Sequence, residues 1–104
     1  MRAVPVGRAE RWKQREPRVV AVFGSDEETL RRVSRLFELL ELAWQACYGE
    51  LTPSEEVEDN VLLCSCGTLG GLIDAAQLAV VDRRDLQLWA NDLRRRAAAP
   101  EQES

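Results

Sequence analysis

The chain has 104 residues, a formal net charge of −4 and no histidine. This length predicts one domain that is large enough to bury a hydrophobic core. No apolar run approaches the roughly 20 residues that a membrane-spanning helix needs, and without histidine the commonest general base is missing. We therefore expect neither a membrane protein nor an enzyme, and nothing in the composition indicates a cofactor.

Cysteine and arginine usage bear on the compartment and the source. Three cysteines are an odd number, and Cys64 and Cys66 stand too close in sequence for an unstrained disulfide. We therefore expect a reducing, cytoplasmic environment. Metal binding is not expected, because three cysteines without histidine fall one ligand short of the usual zinc site. Thirteen arginines against one lysine are typical of a GC-rich, bacterial coding sequence.

Positive charge is concentrated at the N-terminus. Residues 1–18 carry six basic groups against two acidic ones, whereas residues 19–64 carry ten acidic groups against three basic ones. This pattern predicts a basic, partly flexible arm at residues 1–16 on an acidic body. The arm can contact an anionic partner, fold onto its own body or stay solvated, and the sequence leaves these outcomes open. Its candidate anion-contacting residues are Arg8, Arg11, Lys13 and Arg15.

Residues 17–98 are expected to form one helical domain. Pro17 suits the first position of a helix, but the β-branched residues of 18–23 are also typical of a strand. The sequence leaves both open, with a preference for helix. The clearest helix covers 26–48, because Ser25 and Glu28 form a capping-box pattern at its start and Gly49 follows its end.

Three further helices are expected after Gly49, and each has a start signal. The sequence Thr52-Pro53-Ser54-Glu55 opens the first, Thr68 caps the second, and Asp82 opens the third. These helices cover residues 53–64, 69–81 and 83–98.

The elements together predict the fold class. Residues 99–104 are typical of a disordered tail. The connections between the expected helices are short, and short connections favour antiparallel neighbours. The expected fold is all-α, a compact array of four to five antiparallel helices around the central helix 26–48.

The second half of helix 26–48 is apolar over a wide arc. Between Leu36 and Tyr48 only Glu38, Glu41 and Gln45 are polar, and at about 100° per residue these three cluster within roughly 60°. A surface helix of a small protein needs a narrower apolar stripe. This segment must therefore be covered on several sides by its own chain or by a partner.

Paired carboxylates do not predict catalysis in this chain. Glu38 and Glu41 form one pair, and the carboxylates of residues 55–59 form a second group. Both groups are expected on solvated helix faces, where the raised pKa of a catalytic acid is not expected.

The remaining apolar residues predict contact with another protein. Leu78, Val81 and Leu88 fall off the core faces of their helices, while Trp44 and Tyr48 lie on the wide apolar arc. These five residues are the candidate interface, and a twofold homodimer is the simplest way to cover them.

The sequence thus predicts a small non-enzymatic, self-associating protein that acts by protein–protein interaction. A regulatory adaptor and an antitoxin- or immunity-like partner both fit, and the acidic body would suit a basic protein. The alternative is a small DNA-binding transcriptional regulator that uses the basic arm and the helix from Arg83 to Arg96. Nucleic acid is the less favoured partner because the body is acidic and Asp82 and Asp85 open that helix.

Overall fold

The structure is a computed structural model that describes residues 7–98, apart from the side chain of Arg8. The first six residues of the predicted arm and the predicted tail at 99–104 lie outside the described residues. Within residues 7–98 the chain forms five α-helices and no strand, which confirms the all-α class. The helices are α1 (Arg8–Phe23), α2 (Glu27–Tyr48), α3 (Glu55–Ser65), α4 (Leu69–Val81) and α5 (Arg83–Ala98).

Helix α1 joins two segments that the sequence analysis kept apart. It begins within the expected arm and continues through Pro17 to Phe23, so segment 18–23 is helix and not strand. Pro17 is therefore in the helix interior, not at its first position. An interior proline removes one backbone hydrogen bond. Helix α1 consequently depends on its packing against α2 and α3.

Helix α2 ends where the sequence predicts and begins with a different cap. Asp26, not Ser25, is the N-cap, and its carboxylate accepts hydrogen bonds from the backbone N–H and the hydroxyl of Thr29 at 2.9 and 3.0 Å. A carboxylate here satisfies a free N–H and complements the positive end of the helix dipole. At the other end, Gly49 adopts the left-handed conformation (φ 70°) that stops the helix.

Polar caps also define the starts of the later helices. The Ser54 hydroxyl accepts a hydrogen bond from the N–H of Val57 at 3.2 Å, so α3 begins two residues later than predicted. Thr68 caps α4 as expected, through a 2.9 Å bond from the N–H of Gly71. Asp82 accepts from the N–H of Arg84 at 3.1 Å, directly before α5.

The core is built mainly by the four helices that follow α1. Helix α4 packs against α2, α3 and α5, and α3 also packs against α1 and α5. The largest fully buried side chains are Trp44 and Phe37, both on α2. Among the described residues, α1 supplies only Val19 to the thirteen buried hydrophobic side chains. The hydrophobic core therefore depends little on α1.

The turn between α3 and α4 brings two backbones into close contact. The hydroxyl of buried Ser65 donates to the carbonyl of Leu62 at 2.6 Å, and the Ser65 carbonyl accepts the N–H of Thr68 at 3.1 Å. A Cβ atom on Gly71 would clash with that Ser65 carbonyl. Glycine is therefore required at residue 71, whereas a Cβ at Gly70 would meet no atom within 4 Å.

Two neighbouring substitutions test this packing. Gly71→Ala should lower the free energy of unfolding by about 2 kcal/mol, because the turn must shift to admit the new methyl group. Gly70→Ala should leave stability unchanged or raise it by up to about 1 kcal/mol, because alanine is the better helix former. Urea unfolding followed by circular dichroism measures both, and equal midpoints for the two variants would contradict the close approach.

Candidate functional site

Three arginines form one face of α1. Arg11, Arg15 and Arg18 follow each other at intervals of four and three residues, so their side chains project from the same side of the helix. That side faces the carboxylates of the two neighbouring helices. The carboxylates are Glu41 of α2 and Glu55, Glu58 and Asp59 of α3. We call these seven residues the arginine–carboxylate network.

Arg15 is the centre of the network. Its Nη2 donates to Glu41 Oε2 at 2.9 Å and to Glu58 Oε2 at 2.6 Å, so one guanidinium joins α1 to both neighbouring helices. Each of these three residues is only 4% exposed. The guanidinium carbon also lies 4.6 Å from the centre of the Phe37 ring, a cation–π distance. The Nε of Arg15 has no hydrogen-bond partner within the described part of the chain.

Arg11 and Arg18 extend the network on either side of its centre. Arg11 binds Glu41 through two hydrogen bonds, from Nε at 2.8 Å and from Nη2 at 2.9 Å. This two-pronged geometry is the strongest form of an arginine–carboxylate pair. Arg18 donates to Asp59 at 2.6 Å and to Glu58 at 3.0 Å. Each of the two buried glutamates thus binds two arginines.

The charges of the network stabilise each other. Burial by itself raises the pKa of the Glu41 carboxyl, but hydrogen bonds from Arg11 and Arg15 outweigh burial and hold that pKa below its ordinary value. The hydrogen bond to Glu41 in turn raises the pKa of Arg11 above its ordinary value. These pairs therefore stay ionised at neutral pH.

The prediction for the two central glutamates is wrong. Glu41 and Glu58 were expected on solvated faces, and both are buried. The expectation failed because a carboxylate on a helix is normally solvated unless a cation from elsewhere in the chain reaches it. The available signal was the spacing of the α1 arginines, which matches one helix face.

The structure places the candidate anion-contacting residues in different settings. Arg11 and Arg15 bind carboxylates of their own chain, and Lys13 is exposed. Arg8 begins α1, and its side chain lies outside the described part. The described part of the arm therefore packs on the acidic body, which is one of the three outcomes that the sequence left open.

Trp44 and Tyr48, two of the candidate interface residues, lie on the core side of α2. Trp44 has no exposed surface, and its Nε1 donates to Glu50 at 2.8 Å. The half-buried Tyr48 hydroxyl lies 3.2 and 3.0 Å from the carbonyl oxygens of Ala79 and Val80. In this structure Trp44 has no surface to offer a partner, because the chain's own core covers this flank of the wide apolar arc.

The other three candidates lie on α4 and α5. Leu78 and Val81 come together in a shallow groove between these helices, whereas Leu88 is 59% exposed and lies apart from it. We call this the α4–α5 groove, and its lining residues are Asp74, Gln77, Leu78, Val81 and Trp89.

A second apolar groove runs between α2 and α4. Leu39 and Leu42 on α2 are each 61% exposed, and Ile73 on α4 is 49% exposed. The second flank of the wide arc is therefore uncovered. We call this the α2–α4 groove, and its lining residues are Leu36, Leu39, Leu40, Ala43, Ile73, Ala76, Gln77 and Val80. Gln77 lines both grooves, so they adjoin on α4, and together with Leu42 they form what we call the α4 face.

The described residues hold neither a membrane-spanning helix nor a grouped set of metal ligands. Within 7–98 no helix is both long and apolar enough to cross a bilayer. In the same range no three cysteine or carboxylate side chains are placed to hold a metal ion. Cys64 is buried, and burial raises the pKa of its thiol to about 11.

No protein-family model, no curated protein and no solved structure matches this chain. The function must therefore be inferred from the grooves and the arginine–carboxylate network of the chain itself.

Removing the central arginine should destabilise the fold strongly. Arg15→Ala leaves Glu41 and Glu58 buried without their shared cation, which typically costs about 3 to 5 kcal/mol. The matched control is Arg31→Ala, which removes an exposed 2.7 Å pair with Glu28 and should cost about 0.5 kcal/mol or less. Chemical unfolding measures both variants. Similar losses in the free energy of unfolding would show that the buried network stabilises the fold no more than an exposed ion pair does.

Acid should weaken the same contacts. Because the pKa of Glu41 lies below its ordinary value near 4.5 in the folded chain, its stabilising effect is complete above that value and is lost as the pH falls through the lowered pKa. We expect the free energy of unfolding, measured in urea from pH 7 to pH 3, to fall at the acid end. In a Glu41→Gln variant the decline should be shallower, and identical slopes would contradict the assignment.

Proposed function

We propose that this protein is a non-enzymatic interaction protein that self-associates through the α4 face. The observation that carries the proposal is the uncovered flank of α2, where Leu39 lines an apolar groove and both Leu39 and Leu42 are 61% exposed. Single exposed leucines are ordinary, but adjoining ones on a grooved surface usually mark a contact site. A second chain that covered this flank would remove it from water.

Exposed charges on and beside the α4 face support a second copy as the partner. Arg35 lies one turn before Leu39 on α2, and Asp74 lies one turn before Leu78 on α4. Both side chains are exposed, and neither forms an ion pair within the described part of the chain. A twofold axis presents the same surface to itself. Arg35 of one copy can then meet the partner's Asp74.

Other features support the broader class. The three cysteines are free thiols, which fits the cytoplasmic location that we propose. The raised pKa of Cys64 keeps that thiol protonated at neutral pH, so it is a poor nucleophile. Connections of one to six residues between the helices support the antiparallel arrangement that we retain, in which α2 packs against α1 and α4. A regulatory adaptor and an antitoxin- or immunity-like protein remain the roles that fit best.

The DNA-binding alternative has less support among the described residues: Arg83, Arg84, Arg95 and Arg96 are exposed, but other arginines that it needs already have partners. Arg11 and Arg15 bind carboxylates of their own chain, and Arg94 donates to Asn60 at 2.7 Å. These arginines would have to leave their present partners before they could contact phosphate.

Self-association can be tested by light scattering on purified protein at tens of micromolar. We expect a dimer, and the double substitution Leu39→Asp, Leu42→Asp should weaken it at least tenfold, because burying unpaired carboxylates costs more than about 1.4 kcal/mol. The helical content by circular dichroism should stay unchanged, since both leucines are exposed.

The control is Leu88→Asp, which changes a leucine of matched exposure (59%) outside the α4 face and should leave the dimer intact. The proposal is overturned if the wild-type chain stays monomeric up to about 100 µM, which is roughly a hundredfold above a micromolar dissociation constant. If only the Leu88 variant loses the dimer, the interface lies on α5 and not on the α4 face.

A further inference from the structure

Helix α1 is attached to the body more by charge than by apolar packing. Arg11, Arg15 and Arg18 contact four carboxylates, whereas Val19 is the one fully buried hydrophobic side chain of α1 among the described residues. Trp12 and Phe23 are only partly buried against the core. The recognition between α1 and the body is therefore an alignment of arginines with carboxylates.

Such an attachment can open as a unit. Buried ion pairs gain about as much from their attraction as they lose in hydration. Substituting one residue of a pair leaves the other charge buried without a partner. When the whole of α1 dissociates from the body, all the charges of the network become hydrated together. Gly24, with a φ of 87° and no atom near its Cβ position, links α1 to the cap of α2 and supplies a hinge. The hydrophobic core of α2 to α5 depends little on α1, which supplies only Val19 to it among the described residues.

The contact between α1 and the site beneath it leaves one buried donor of α1 without a partner. Arg15 is 4% exposed, yet its Nε has no hydrogen-bond partner within residues 7–98. Among the described side chains the site holds four carboxylates against Arg11, Arg15 and Arg18, so the charges of these seven side chains sum to −1 while α1 is bound. A cavity of about 240 Å³ also lies beside the network, between α1 and the start of α3. Its lining residues are Arg11, Gln14, Arg15, Arg18, Thr52, Pro53, Glu55 and Glu58.

We propose that this site binds an arginine-bearing helix of another protein and that α1 is the built-in competitor for it. The partner helix carries arginines at positions i, i+4 and i+7 and a small apolar residue at i+8, as α1 does with Arg11, Arg15, Arg18 and Val19. Binding displaces α1 about Gly24 and leaves the α4 face free. The inference therefore concerns a different surface from self-association and goes beyond it.

The test uses a fluorescein-labelled peptide of residues 7–24 as the probe. It is titrated into the full wild-type chain and into a full chain with Arg11→Gln, Arg15→Gln and Arg18→Gln, in which the competitor is weakened. The triple variant should bind the peptide at least roughly tenfold more tightly, because apparent affinity rises with the fraction of open sites. The affinity should fall as NaCl is raised, because salt screens the charges.

Two matched controls assign the binding to the site. A peptide with Arg11, Arg15 and Arg18 changed to glutamine should not bind the triple variant. Adding Glu41→Gln and Glu58→Gln to that variant should weaken binding of the arginine peptide at least roughly tenfold. A triple variant that keeps the helices of α2 to α5 but binds no peptide overturns the proposal. Equal binding after the glutamate substitutions overturns it as well.

Hydrogen exchange on the wild-type chain keeps the test decisive if the triple variant does not fold. Excess arginine peptide should speed exchange of the α1 amides and leave the amides of α2 to α5 unchanged, and no change in α1 overturns the proposal. The Leu39→Asp, Leu42→Asp variant should still bind peptide, so failure of self-association is a separate result. One further outcome would overturn the assignment to another protein. If the wild-type chain is an oligomer and the double substitution Glu41→Gln, Glu58→Gln makes it monomeric, the site binds α1 of a second copy.

Discussion

One guanidinium, that of Arg15, holds three helices together. It is bound by carboxylates from α2 and α3 while it stacks on a ring of α2, and all of these groups are withdrawn from water. A buried charge tolerates few arrangements, so this contact fixes where α1 lies along the body, even though it adds little net free energy. The interior Pro17 of α1 is consistent with this role of Arg15. A helix that is held by contacts with its neighbours can tolerate the loss of one backbone hydrogen bond.

Helix α2 separates two surfaces of opposite character. At about 100° per residue, Glu41 and Leu39 point roughly 160° apart around the helix axis. The Glu41 side carries the polar attachment of α1, and the Leu39 side carries the exposed apolar flank. Because the two surfaces share no side chain, a partner on one does not have to displace a partner on the other.

Local features of the sequence predicted most of the fold, and long-range pairing explains what they missed. Gly49, Thr68 and Asp82 mark helix ends through contacts with residues within four positions, so their roles could be predicted from neighbours alone. The wide arc of 36–48 predicted that this segment needs cover on several sides, and the chain's own core covers the side of Trp44. The burial of Glu41 depends on an arginine 26 positions away. No local pattern reveals such a partner, and for the same reason the arginines of the arm looked available to an anion.

The positions of the three tryptophans have a consequence for spectroscopy. Trp12 lies on α1, Trp44 is enclosed in the core, and Trp89 lines the α4–α5 groove. Indole emission depends on the polarity around the ring, and these rings range from fully enclosed to partly exposed. The chain therefore has one tryptophan in each of three settings: helix α1, the hydrophobic core and the α4–α5 groove.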